Sequence, residues 1–98
     1  MPVAEFGGTV YTSAFAFAAT VDPANHTAVA SVDTDVASAL VKSGDLIVAM
    51  PPATLEAGIA VQGCHTVANG TFKLRTTNAS AGAINPASGT WTFVVLRR

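Results

Sequence analysis

The dipeptide Asn69-Gly70, set between "IAVQGCHTVA" and "TFKLRTTN", constrains this chain more than any other feature. Two apolar-patterned runs joined by Asn-Gly predict a β-hairpin with a type I′ turn, because both central residues of that turn need positive φ. The return run puts Phe72, Leu74 and Thr76 on one face and Lys73, Arg75 and Thr77 on the other. That is the period of two expected of a strand with one wet side.

The rest of the chain repeats the pattern. "TSAFAFAATVD" spaces Phe15 and Phe17 two apart among alanines, a strand with one face buried. "DPANHT" reads as a turn, since proline presets φ and Asn tolerates the left-handed region. "AVASVDTDV" then places Val32, Thr34 and Val36 on one face and Asp33 and Asp35 on the other. "ASALVKSGD" is read as an irregular link, and "DLIVAM" as a short, wholly apolar strand of the buried kind. Pro51 and Pro52 remove two ladder donors and end that strand at Met50, after which Leu55 drops back onto the core. "ASAGAINPASG" is a loop and "TWTFVVLRR" the last strand. Phe15, Phe17, Trp91 and Phe93 are assigned to the core. No stretch reads as a long helix. The expectation is an all-β fold, a small antiparallel sandwich or barrel of about six to eight short strands. Residues 13–98 form this domain, and residues 1–12, with Pro2, Gly7 and Gly8, an extended N-terminal arm.

Charged residues make up 11% of the 98, against about 25% in an ordinary domain, so part of the surface is expected to lie against other subunits. The net charge of −1 carries no electrostatic footprint for nucleic acid. The C-terminal Arg97-Arg98 reads as a solvated end. No membrane span and no signal peptide are expected, and the lone Cys64 implies no internal disulfide, which together point to synthesis in a cytoplasm.

No acid–base, nucleophile or metal constellation assembles from this pattern. Asp33 and Asp35 belong to a solvated strand face. Cys64 and His65 are neighbours on a strand and so point to opposite faces, Cys64 inward and His65 outward. The triplets "NHT", "NGT" and "NAS" have the form of glycosylation sequons, but each Asn sits at a turn or strand end where Asn is at home. The expectation is a protein that is not an enzyme and takes no cofactor or metal. Phe6 and Tyr11 differ from the other aromatics because the arm offers them no evident core position. With Pro2 and Val3 they are the expected partner-binding residues.

The C-terminal half carries a longer pattern: Gly44-Asp45, an apolar strand, Pro51-Pro52, Leu55-x-x-Gly58, the hairpin, Asn78-Ala-Ser80, Asn85-Pro-Ala-Ser-Gly-Thr90, and a Trp91 strand ending in Arg97. From Ser43 to Arg98 the chain resembles a group of small virion-associated structural proteins of tailed bacteriophages. The resemblance implies a capsid-decoration, or cement, protein that binds the head exterior as a homotrimer and stabilises contacts between major capsid subunits. It would sit on the virion surface, with the arm from Pro2 to Tyr11 facing the capsid. The alternative is a head- or tail-fibre module that binds a host receptor or surface glycan through loops such as "DPANHT" and "NASAGAINPASG".

Overall fold

A computed structural model describes residues 4–6 and 8–98, and within them the chain is all-β. Eight strands follow in order: β1 (Ala4–Phe6), β2 (Thr9–Tyr11), β3 (Ser13–Val21), β4 (Ser31–Ala37), β5 (Leu46–Met50), β6 (Ile59–Ala68), β7 (Thr71–Asn78) and β8 (Gly89–Arg97). They form two three-stranded antiparallel sheets, ordered β3-β8-β5 and β4-β7-β6, and a separate β1-β2 pair. The chain passes back and forth between the two sheets, and β8 closes the first by inserting between β3 and β5.

The two sheets pack face to face because each has one apolar face to hide. From the first come Phe15, Phe17, Val21, Ile47, Trp91, Phe93 and Val95, and from the second Val36, Val61, Cys64, Phe72 and Leu74. Phe72 meets Phe93 edge-on at 5.1 Å between centroids, and Phe17 lies 5.4 Å from Phe93, so the sheets are joined by a ring cluster. Edge-to-face contacts of this kind add about 0.5–1.5 kcal/mol beyond area burial. Leu55 packs against the same core after the proline stop.

Several local expectations are corrected. Within the described part of the arm, the extended segments β1 and β2 also pair antiparallel, with Glu5 opposite Val10. β4 starts at Ser31, because Thr27–Ala30 forms a turn closed by the Ala30 amide on the Thr27 carbonyl (3.2 Å). The Asn69-Gly70 hairpin forms, but only Gly70 has positive φ (86°), so the turn is not type I′. Two irregularities in β6, at Gln62–Gly63 and Thr66–Val67, disturb its register with β7, and Gly63 and Thr66 carry the positive φ there. Bulges increase local twist, which relieves the turn of supplying it. The link from Ser38 to Val41 then docks on the turn: the Gly70 amide donates to Val41 and the Ser38 amide to Gly70. Asn69 Oδ1 accepts the Ser43 amide. That docking buries Val41 to 1% exposure, a core residue hidden inside a link.

Candidate interaction surface

Each sheet turns its second face outward, and the two outer faces are built from opposite chemistry. On the β4-β7-β6 face, Asp33 lies directly opposite Arg75 and Asp35 opposite Lys73. Arg75 grips Asp33 with two donors at 2.8 and 3.0 Å, and Lys73 Nζ reaches Asp35 Oδ1 at 2.6 Å. His65 faces the same way, with Nε2 3.2 Å from Asp33 Oδ1 and Nδ1 on the Thr66 hydroxyl. The guanidinium beside Asp33 holds its carboxyl far below the usual carboxylate range, and His65 adds to this. This is the solvated aspartate face read from the alternation, with every charge matched by a cross-strand neighbour.

The Gln62–Gly63 bulge resets the phase of β6, so Cys64 turns inward although Val61 does too. Burial pushes the Cys64 thiol up to about 11, which keeps it a protonated packing residue rather than a nucleophile. A shallow depression beside the bulge is lined by Gln62, Gly63, Cys64, His65 and Arg75. Its guanidinium is already committed to Asp33. Among the described residues no group of three or more His, Cys, Asp or Glu could hold a metal ion.

The outer face of β3-β8-β5 carries no charge. Its rows run Ala14–Leu96–Leu46, Ala16–Val94–Val48, Ala18–Thr92–Met50 and Thr20–Thr90 across the three strands. Leu46, Val48 and Met50 are 37%, 55% and 61% exposed. β5 is therefore not the buried strand its composition suggests: only Ile47 and Ala49 face the core. A strand apolar at every position needs two apolar surroundings, and a two-layer sandwich supplies one. The exposed stripe could have been found in the sequence on that ground, since "DLIVAM" does not alternate.

At one end of the sandwich, Asp45 and Arg97 meet. Arg97 donates to both Asp45 oxygens (2.9 and 2.8 Å) and to the Leu40 carbonyl, and stacks over Phe15 at 5.2 Å. The Lys42 amide also donates to Asp45. Arg97 is thus no solvated terminus but a lid on the core, and it holds the nearly buried Asp45 carboxyl below its ordinary range. The Asp of the Gly-Asp motif and the Arg ending the last strand are partners.

At the other end, Asn78 is fully buried. Its Nδ2 donates to Gly82 at 2.7 Å and its Oδ1 accepts from the Ser80 amide and hydroxyl. The Asn-Ala-Ser triplet is a loop clasp, not an accessible sequon. His26, also fully buried, donates from Nδ1 to the Ala24 carbonyl and holds the Thr76 hydroxyl at Nε2 (2.7 Å). His26 and Ile84 exchange backbone bonds, so the loops 22–30 and 79–88 are tied together.

Of the expected partner-binding residues, Pro2 and Val3 lie outside the described residues, and Phe6 contributes its backbone to β1. Tyr11 is only 9% exposed, so it does have a packed position. Family models, curated proteins and solved structures were all compared with the chain, and none matches.

Proposed function

We propose that this chain is a structural assembly protein of the virion, a capsid-decoration protein of the kind its C-terminal half resembles. It acts by adhesion rather than catalysis, joining major capsid subunits on the head exterior as a homotrimer. The observation that carries this reading is the uncharged outer face of β3-β8-β5. Isolated apolar residues are common on monomers, but a contiguous apolar sheet face marks an interaction site. Contacts repeated by symmetry add up to resist outward pressure even when each is weak. The arm, Pro2 to Tyr11, is the element proposed to reach the capsid.

Quantitative mass spectrometry of purified virions, referenced to the major capsid protein, tests this reading. Hundreds of copies per particle are expected, and absence from particles would sink it. A second reading, a fibre module binding a receptor or glycan, draws on the tied loops 22–30 and 79–88. There Val29 is 76% exposed and held at φ 57°, a strained conformation for a β-branched residue. A few copies per particle together with glycan-array binding would favour it.

A further inference from the structure

We infer that the outer face of β3-β8-β5 mates with the same face of a second copy of this chain, β5 of one copy lying over β3 of the next. The inference rests on the assembly reading and gives this face one role in it: the two-fold pair joins copies of neighbouring trimers across the shell, and the arm is left to meet the capsid. It follows from how size is distributed across the face. The β3 edge presents only small side chains, Ala14, Ala16 and Ala18, while the β5 edge presents Leu46, Val48 and Met50. Val94 and the nearly covered Leu96 lie between them on β8. One edge is low, the other high.

Two such faces can meet in two simple ways. A rotation axis perpendicular to the strands and lying in the interface sets β5 against β5 and β3 against β3. That leaves large side chains colliding on one side and a gap over alanines on the other, and both overpacking and voids are penalised. A rotation axis parallel to the strands sets β5 over β3, so each high edge fills its partner's low one. Such an axis also preserves height along the strand, so each row meets its own row: Val48 comes against Ala16, and Met50 against Ala18. The absence of any charged residue on these rows fits an occupant that is itself uncharged there, and this chain supplies one.

Three strands about 4.8 Å apart and four rows about 6.8 Å apart make a footprint of roughly 400 Å² per copy. A standard stable interface buries about 800 Å² per partner. The pairing is therefore concentration-dependent in free protein and is reinforced where copies are held side by side on a shell.

Paired cysteine variants test the geometry, built on Cys64→Ala so that only introduced thiols react. Chains carrying Ala16→Cys are mixed with chains carrying Val48→Cys and treated with a short bifunctional thiol cross-linker, because facing sheets lie about 10 Å apart, beyond the reach of a disulfide. Cross-linking in the mixture, with none for Val48→Cys alone, is the expected result. Self-cross-linking of Val48→Cys would overturn the axis, and no cross-link in either sample would overturn the pairing. A second variant, Val48→Asp, changes an exposed side chain and is expected to keep the wild-type circular dichroism while weakening self-association at least about tenfold, since it places an unpaired charge in an apolar contact. Unchanged association by that variant would also overturn the proposal. These outcomes are read on purified chain, so they are independent of copy number in the virion, which tests the assembly reading itself.

Discussion

The two outer faces of this sandwich share a fold, a strand count and an apolar inner surface, yet differ completely in what they offer the outside. The β4-β7-β6 face meets water with Asp33, Asp35, Lys73, Arg75 and His65, arranged so that charges cancel across strands. The β3-β8-β5 face meets it with alanine, valine, leucine, methionine and threonine. Folding the monomer requires one apolar face per sheet, and both sheets provide it. The second apolar face of β3-β8-β5 is surplus to that requirement. On the proposed reading, the difference separates what folds the chain from what joins it to other copies.

If so, stability resides between the sheets and association on one outer face, and mutations should separate the two. The largest effect is expected from Leu74→Ala, which empties a fully buried site on the inner face of the charged sheet. It should cost about 3 kcal/mol, a fall in Tm of roughly 12–20 °C by calorimetry. Next comes Asp45→Ala, which leaves Arg97 without its carboxylate at the end of the core and should cost about 2 kcal/mol by urea titration.

The pH dependence follows from the same pair. Asp45 is held below its ordinary value in the folded protein, so its contribution is complete above about pH 4 and is lost as pH falls through the folded value. Asp45→Asn should therefore flatten the acid limb of stability below about pH 4; an unchanged limb would show that the pair does not set it.

A smaller gain is expected from Thr34→Val. The Thr34 hydroxyl is buried facing the core with no hydrogen-bond partner among the described residues, so an isosteric apolar side chain should stabilise by about 1 kcal/mol. The smallest effect belongs to the exposed Asp35–Lys73 pair: Lys73→Met should leave the denaturation midpoint unmoved within error while lowering solubility. A large destabilisation there would mean the charged face is more than a solvated surface.

Much of this architecture was legible in the sequence where alternation is strict. The Phe15–Phe17 spacing, the Val32/Asp33 alternation, the inward Phe72, Leu74 and Thr76, and the stop at Met50 all stand as read, because a period of two needs only one buried face and one wet one. What escaped depended on contacts far apart in the chain. Val41 is buried only because its link docks on the Asn69-Gly70 turn. Arg97 is held only because Asp45, fifty-two positions away, lies beneath it. His26, placed in an exposed turn by its neighbours, is buried because the loop ending at Ile84 closes over it.

The apolar stripe on β5 is a different case. Composition recorded it, as too little charge and a strand without alternation, but burial within one chain and burial between chains leave the same trace in a sequence. Only the sheet order shows that β5 is an edge strand of a two-layer sandwich, with nothing among the described residues to cover Val48 and Met50.

Sedimentation velocity of the wild-type chain, from micromolar to millimolar concentration, tests this account most directly. The sedimentation coefficient should climb with concentration from monomer towards a defined oligomer, and should not climb for Val48→Asp. A wild-type chain that remains monomeric throughout would contradict the claim that the uncharged face exists for assembly with its own kind.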